Sequence, residues 1–284
     1  MNILTFDIED WFHILDNEST KSEKQWINFE SRLEHNMDKI FKVLDDNNQD
    51  ATFFCLGWVA RKHPKIIQKI NSLGYEIATH SDTHQLAYEF NKNEFNQDLE
   101  KSIKSIEDIT GKKITSYRAP GFSIKEENLW VFDELLKQGI EKDCSVFPAK
   151  RSHGGLHKFG YSAPAYIERE EGKLKEFPIN LHKIFGKNII FSGGGYFRLI
   201  PYPLLKYFMN QSDYTMGYFH PRDFDPDQPM MEGLTAIRKF KSYCGLNSSL
   251  SKLEKLIQDF KFISLKEADS TIDWNNAKII NFDT

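Results

Sequence analysis

Short β-rich segments alternate with amphipathic helical segments along the first half of this sequence, and this alternation restricts the fold more than any other feature. Predicted strand–helix pairs are 3–8 with a helix after Ser31, 51–57 with 59–73, 75–79 with 94–109, and 114–117 with 126–137, before a strand at 140–146. Parallel neighbours need a crossover connection, and that crossover is usually a helix. The pattern therefore predicts an α/β fold with a parallel sheet.

The second half of the chain is less regular. Residues 148–201 are rich in glycine and aromatic residues, which predicts long loops and short strands over one face of the sheet. A strand at 215–219, helices at 230–243 and 250–260, and a last strand at 262–265 follow, with a peripheral tail at 266–284. No repeat or linker divides the sequence, so we expect residues 1–284 to form one domain.

Charge and composition exclude several classes of function. Lys and Arg number 37 and Asp and Glu 41, a net charge of −4 without a basic run, so we expect no nucleic-acid partner. No apolar run is long enough to span a bilayer, although peripheral contact with a membrane surface stays open. The first residues lack a secretory pattern, and Cys55, Cys144 and Cys244 have no paired spacing. These features predict a cytoplasmic location.

Polar residues stand at the ends of several predicted strands. Asp7, Glu9 and Asp10 follow the first strand and His80 and His84 the third, with Arg118, Asp143 and His220 at or near the ends of three later ones. The carboxyl ends of parallel strands gather on one face of a barrel. We therefore expect these side chains to converge into one site.

Two features of that set predict a divalent metal ion such as Zn²⁺. His80 and His84 can face one ion if their segment forms a helical turn, and a nearby carboxylate would complete the ligand set. Asp7, Glu9 and Asp10 crowd three like charges that a cation would offset. The carboxylate ligand is Glu9 or Asp10, and strand alternation favours Glu9, with Asp7 beside it as a base. The alternative for Asp10 is a cap on the next segment.

Five ordered motifs resemble those of the polysaccharide deacetylases with a NodB-homology domain. They are Thr5–Asp10, His80–His84, Arg118–Gly121, Asp143–Pro148 and Phe219–Pro221, and the resemblance covers about residues 1–265. Segments 9–13, 176–178 and 193–198 look like the branch of that family found with bacterial exopolysaccharide assembly.

The resemblance implies a single distorted (β/α) barrel and metal-dependent removal of an N-acetyl group from an amino sugar in a cell-surface polysaccharide or its precursor. Residue by residue, it implies that Asp7 is the general base, that His80 and His84 are metal ligands, that Arg118 orients Asp7, and that His220 is the general acid, held by Asp143. The sequence departs from the family pattern at Ile8, where a second aspartate is common, and at Gly121, where an aromatic residue is frequent.

Elementary chemistry agrees with these roles. A metal ion polarises an amide carbonyl and acidifies water, a carboxylate can accept the proton, and a histidine can protonate the departing amine. Arg198 is a candidate contact for a substrate phosphate or carboxylate, whereas His13, His153, His157 and His182 are expected to be structural. Two other functions stay open: hydrolysis of a cyclic amide or ureide on the same fold, and carbohydrate binding by a disabled enzyme.

Overall fold

The structure is a computed structural model that describes residues 1–15, 17–149, 153–184 and 187–282. Part of the glycine-rich segment predicted as loops, residues 150–152 and 185–186, lies outside the described residues, as do the last two residues of the tail. The strands are β1 Asn2–Ile8, β2 Thr52–Cys55, β3 Glu76–Thr79, β4 Ser116–Tyr117, β5 Lys142–Asp143, β6 Ala165–Arg169, β7 Gly172–Glu176, β8 His182–Ile184, β9 Lys187–Ile189, β10 Thr215–Phe219 and β11 Ile279–Ile280.

Helices connect the strands and cover the sheet. The α-helices are α1 Glu23–Trp26, α2 Leu33–Asp46, α3 Gly57–Lys62, α4 Pro64–Ser72, α5 Lys92–Thr110, α6 Trp130–Lys137, α7 Gly194–Leu199, α8 Tyr202–Asn210, α9 Ala236–Tyr243, α10 Leu246–Asp259 and α11 Leu265–Thr271. Short 3-10 turns span Glu18–Thr20, Ala87–Glu89, Pro120–Phe122, Glu126–Asn128, His157–Phe159, Pro221–Phe224 and Trp274–Asn276.

One sheet carries most of the strands, in the order β10-β1-β2-β3-β4-β5-β7-β6-β11. Every neighbouring pair is parallel except β6 and β7, which form an antiparallel hairpin. Strand β1 is buried from Ile3 to Ile8, as expected for a strand with helices or loops on both faces. The predicted α/β class with a parallel sheet is confirmed.

Several predicted elements differ from the observed ones for local reasons. The helix expected over 59–73 is two helices, because Pro64 has no N–H for an intrahelical bond and begins α4. The strand expected at 140–146 is only β5, after which the chain turns at Ser145 to bond the Asp143 carboxylate. The strand expected at 262–265 is a single bridge at Ile263, because Ser264 caps α11.

The prediction of a peripheral tail is wrong for residues 266–282. Helix α11 buries Leu265 and Ala268, and β11 pairs with β6. Phe282 is only 4% exposed and stacks on Phe132 with ring centroids 6.2 Å apart. Apolar side chains in this segment therefore extend the core. The prediction missed them because most residues of the tail are polar.

Across the part of the chain that the structure describes, no helix has both the length and the apolar character needed to cross a bilayer.

Candidate metal centre and active site

Four polar side chains come from the residue that directly follows a parallel strand. Glu9 follows β1, His80 follows β3, Arg118 follows β4 and His220 follows β10. Asp7 lies one position before the end of β1. Because these strands belong to one parallel sheet, their carboxyl ends bring Asp7, Glu9, His80 and His220 into the lining of one cavity. The buried Arg118 contacts Asp7.

Glu9, His80 and His84 form a buried cluster whose ligand atoms all lie within 4.8 Å of one another. Glu9 Oε2 is 2.5 Å from His84 Nε2, yet this buried oxygen has no hydrogen bond of acceptable geometry. A carboxylate and two imidazoles are donors that Zn²⁺ and similar divalent ions accept. The orphaned oxygen and the donor set therefore fit a metal ion.

The protonation states also suit metal binding. Burial lowers the pKa of His80 to about 4, so its ring is neutral at physiological pH, and its Nδ1 bonds the carbonyl of Arg118 at 2.8 Å. Burial alone would raise the pKa of Glu9, but His84 and His220 hold it well below its usual range. A neutral imidazole whose other nitrogen is bonded to a carbonyl is a common arrangement in metal sites.

The loop that carries the two histidines is not the helical turn on which their predicted convergence depended. Residues 81–86 contain bends, with Ser81 at φ 69° and His84 at φ 56°. The Asp98 carboxylate from α5 accepts hydrogen bonds from the backbone N–H groups of Asp82 and Thr83 at 2.8 and 3.2 Å. Left-handed backbone at non-glycine residues persists only where the surroundings enforce it, and Asp98 supplies that constraint here.

Arg118 and Asp7 form a buried ion pair. Arg118 Nη1 donates to Asp7 Oδ1 at 2.7 Å and to Thr5 Oγ1 at 2.8 Å, and the guanidinium lies 4.2 Å from the Phe54 ring centroid. The charge of Asp7 overcomes the effect of burial and raises the pKa of Arg118. The cation thereby holds Asp7 beside Glu9, the contact that the motif resemblance implied.

His220 is held by Asp223, which corrects the expectation that Asp143 holds it. His220 Nδ1 lies 3.1 Å from Asp223 Oδ2, and the His220 backbone N–H donates to the same oxygen at 2.9 Å. His220 Nε2 faces the site, 3.3 Å from Glu9 Oε1 and 3.8 Å from Asp7 Oδ2. Burial alone would lower the pKa of His220, but Glu9 and Asp223 raise it to about 9.

Asp143 instead belongs to a carboxyl pair behind the site. Its Oδ1 accepts a hydrogen bond from Ser145 Oγ at 2.6 Å, and Ser145 Oγ accepts one from the Ala119 N–H at 2.8 Å. Asp143 also pairs in register with Glu176 on β7, and their side chains share a hydrogen bond. Burial and the Asp143 charge raise the pKa of Glu176 well above its usual range, so Glu176 carries the proton.

Asp10 is a structural residue rather than a ligand. Its Oδ1 accepts hydrogen bonds from the N–H groups of Trp11 at 2.9 Å and Arg32 at 3.2 Å, and its Oδ2 accepts one from Ser31 Oγ. It therefore stabilises the chain at the start of α2, which was the alternative interpretation of this acid.

The structure also assigns places to the other candidates. Arg198 is 7% exposed. Its two Nη atoms donate to the carbonyls of Lys241, Ser242 and Cys244, and its Nε lies 3.2 Å from Asp223 Oδ1 in an ion pair, so its charge and its Nη donors are used within the protein. His13 and His153 line the cavity, whereas His157 and His182 lie on a 3-10 turn and on β8. Gly121 has φ 63°, and a Cβ there would lie 2.7 Å from Leu15 Cδ1, which explains the missing aromatic side chain.

Asp223 and Asp98 are the two residues of the site that sequence reasoning missed. The sequence contains a signal for Asp223, because His220-Pro221-Arg222-Asp223 has the spacing of a capping box with proline at the first helical position. Asp98 left none, since it lies within an amphipathic helix and reaches a loop that only the tertiary fold brings near.

Comparisons with known proteins agree with the resemblance of the five motifs. Residues 17–137 match the polysaccharide deacetylase family. Over that segment the chain is similar to the polysaccharide deacetylases. Residues 144–269 match a second description, a domain of unknown function (DUF3473). The predicted resemblance to the polysaccharide deacetylases is confirmed over residues 17–137, whereas the exopolysaccharide branch stays a prediction.

Individual relatives are more distant. A peptidoglycan-N-acetylglucosamine deacetylase from Bacillus cereus is 30% identical over 97 residues, which is 34% of this chain and 35% of that protein. The chain thus matches about a third of the length of this curated relative. A crystal structure from Mycobacterium smegmatis, provisionally assigned as a polysaccharide deacetylase, aligns with TM-score 0.67 and 16% identity over 98% of this chain and 91% of that one, and shows the fold. Peptidoglycan deacetylase PdaC from Bacillus subtilis aligns with TM-score 0.49 and 15% identity over 95% and 90% of the two chains.

Proposed function

We propose that this chain is a metal-dependent hydrolase that removes the N-acetyl group from an amino sugar. The observation that carries the proposal is the buried Glu9–His80–His84 cluster with Asp7 on one side and His220 on the other. The match of residues 17–137 to the polysaccharide deacetylase family supports the same substrate class.

Glu9, His80 and His84 would hold one divalent ion, most consistently Zn²⁺. When bound, such an ion polarises an amide carbonyl and lowers the pKa of a coordinated water from about 15.7 toward about 7. The three residues supply one carboxylate and two imidazoles, which is a common protein ligand set for a catalytic zinc.

The chain's own residues would divide the proton transfers. Asp7, held by Arg118 at 2.7 Å, would accept the proton of the attacking water on its second oxygen. His220 Nε2 would donate a proton to the nitrogen of the departing amine while Nδ1 stays bonded to Asp223. Arg118 and Asp223 are positioning residues, because each touches the base or the acid rather than the reacting atoms.

Acetate release from N-acetylated glycans, together with zinc analysis, tests this proposal. We expect one equivalent of metal, and a His80→Ala variant that loses most of it together with activity. An Asp7→Asn variant should retain the metal and lose at least about 10²-fold in kcat, because an amide cannot accept the proton. A metal-free wild type, or His80→Ala with stoichiometric zinc, would contradict the assignment.

The same assay separates the other two functions. Release of ring-opened product from a cyclic amide or ureide, without acetate from any glycan, would favour the first alternative. Glycan binding without turnover in the zinc-loaded protein would favour a disabled enzyme. The presence of acid, base and ligand residues together argues for the deacetylase, since binding alone needs none of these groups.

The substrate would be a cell-surface polysaccharide or its precursor, with exopolysaccharide assembly as the setting that segments 9–13, 176–178 and 193–198 favour. The name of the Bacillus cereus relative supports N-acetylglucosamine as the sugar. A cytoplasmic location is consistent with the free thiols of Cys55, Cys144 and Cys244, and cell fractionation would test it.

Peripheral membrane contact is part of this proposal and has one supporting feature. Ile237 and Phe240 lie one turn apart on α9 and are 69% and 58% exposed, beside the cation Lys239. Exposed apolar residues next to cations favour an anionic bilayer surface. We expect the protein to sediment with phosphatidylglycerol vesicles and an Ile237→Ser/Phe240→Ser variant to lose that binding. Equal sedimentation of the two proteins would contradict the contact.

A further inference from the structure

The cavity that holds the candidate metal centre has a second, cationic wall. Its volume is about 260 Å³, and besides the acid and histidine residues it is lined by Arg222, Arg238 and Lys241. Arg222 lies in the 3-10 turn that follows β10, between His220 and α9 in the sequence. Arg238 and Lys241 are three residues apart on α9, so they share one face of that helix.

The acids that line this cavity already have partners. Asp7 pairs with Arg118, and Asp223 pairs with Arg198 and His220. Glu9 belongs to the metal cluster. Among the described residues no carboxylate within ion-pair distance of Arg222 or Lys241 is left to neutralise them, so this wall of the cavity has surplus positive charge.

One nitrogen of the Arg222 guanidinium lacks a hydrogen-bond partner. Its Nη2 is buried and has no hydrogen-bond partner among the described residues, although a buried guanidinium nitrogen without a partner is costly. The guanidinium lies 5.7 Å from the ring centroid of Tyr243, whose hydroxyl accepts a hydrogen bond from the Met231 N–H at 2.7 Å. The side chain is therefore supported by α9 while one of its donors stays unused.

We propose that Arg222 and Lys241, with Arg238 beside them, form an oxyanion subsite next to the deacetylation centre. An arginine fork bonds carboxylate and phosphate oxygens in pairs, and lysine adds a point charge. This inference deepens the proposed deacetylase function and rests on it: the acetylated sugar carries, or is adjacent to, an anionic group. That group would be a phosphate at the reducing end of a precursor or the carboxylate of a neighbouring uronic acid.

Anion binding can be measured without turnover. Pyrophosphate and glucuronate are titrated calorimetrically into the metal-free and the zinc-loaded protein, because anions also bind metals. We expect the metal-free wild type to bind at least one of them, and Arg222→Gln and Lys241→Met each to weaken that binding about tenfold, as loss of a charged hydrogen bond does. Lys65→Met removes an exposed lysine on α4 and should leave it unchanged.

Two outcomes of that titration would overturn the subsite. One is no binding of either anion by the metal-free wild type. The other is binding that Arg222→Gln and Lys241→Met leave intact while His80→Ala abolishes it, which would place the anion on the metal. Lys241 is exposed on the surface of α9, so Lys241→Met keeps the test valid even if Arg222→Gln fails to fold.

Turnover then identifies the source of the anion. Acetate release is compared for a neutral N-acetylglucosamine oligosaccharide, for uridine diphosphate N-acetylglucosamine, and for an oligosaccharide that alternates N-acetylglucosamine with glucuronate. We expect kcat/KM to be at least about tenfold higher for one anionic substrate than for the neutral one, and that ratio to fall in Arg222→Gln and in Lys241→Met.

The three possible patterns have different meanings. A preference for the diphosphate substrate indicates a phosphate, and a preference for the alternating oligosaccharide indicates a carboxylate. Equal kcat/KM for charged and neutral substrates overturns the inference while the deacetylase function stands. Acetate from none of them contradicts the proposed function, and the titration then decides the subsite by itself.

Discussion

Asp223 accepts hydrogen bonds from both the ring and the backbone N–H of His220, and Arg198 pairs with its other oxygen at 3.2 Å. Burial opposes ionisation, but the His220 hydrogen bond and the Arg198 charge lower the pKa of Asp223 to about 2. A permanently ionised carboxylate thus fixes one tautomer and one orientation of the ring. At the scale of single residues, the site depends on groups that hold the acid and the base.

The first prediction concerns that carboxylate. Asp223→Asn should lower kcat for acetate release about 10- to 100-fold, because the ring loses its charged support, and should leave zinc content unchanged. Asp143→Asn should have the smaller effect, since Asp143 contacts Ser145 and Glu176 instead. Asp227→Asn, at an exposed position four residues after Asp223, is the matched control. A larger loss in Asp143→Asn than in Asp223→Asn would restore the original assignment.

At the scale of elements, the metal ligands depend on how α5 meets the loop after β3. Asp98 on α5 accepts hydrogen bonds from two consecutive backbone N–H groups and from Thr83 Oγ1 at 3.0 Å. Asp82 in the same loop pairs with Arg61 on α3 and with Lys101 on α5. Two helices therefore hold the loop in the left-handed backbone that brings His84 toward His80.

The second prediction follows from this contact. Asp98→Ala should cost about 1–3 kcal/mol in the free energy of unfolding, because it leaves buried N–H groups without an acceptor, and should weaken zinc binding about 10- to 100-fold. Chemical denaturation and competition with a zinc chelator measure the two effects. Asp108→Ala, on the same helix with 65% of its side chain exposed, is the control. Unchanged zinc affinity in Asp98→Ala would show that the loop holds its shape without this acid.

The third prediction concerns the end of the chain as an element of the core. Phe282 packs against Phe132 and Phe159, with ring centroids 6.2 and 6.5 Å away. Phe282→Ala should destabilise the protein by about 3 kcal/mol in chemical denaturation, as loss of a buried aromatic ring does. Ile279→Ala, at a residue that is 45% exposed, should cost far less. Equal effects would mean that the tail adds little to the core.

At the scale of the whole molecule, the sheet brings together groups whose ionisation changes overall stability. Asp143 on β5 and Glu176 on β7 are cross-strand neighbours, and both are fully buried. Because burial and the charge of Asp143 raise the pKa of Glu176 well above its usual range, folding favours the protonated form of Glu176. Stability from this group is complete below the pKa of Glu176 in the unfolded chain and declines as pH rises toward the folded value.

The fourth prediction tests that linkage. Glu176→Gln has no proton to lose, so its free energy of unfolding should fall less than that of the wild type between pH 4 and pH 8, a range in which an unfolded glutamate of pKa about 4.3 ionises. Urea denaturation at several pH values measures the difference. Glu171→Gln, on the exposed turn between β6 and β7, should keep the wild-type profile. Parallel profiles for wild type and Glu176→Gln would contradict a protonated Glu176.

The sequence by itself was sufficient for the α/β class, for the resemblance to the polysaccharide deacetylases and for most of the residues that meet at the strand ends, because strand–helix alternation and motif order are local and linear. Only the tertiary structure decided which carboxylate holds His220, since Asp143 and Asp223 both lie near strand ends and differ in where their side chains reach. It also decided the shape of the histidine loop, which depends on Asp98 from another element. Hydrogen bonds between distant segments have no periodic signature in a sequence, so they become visible only when the chain is folded.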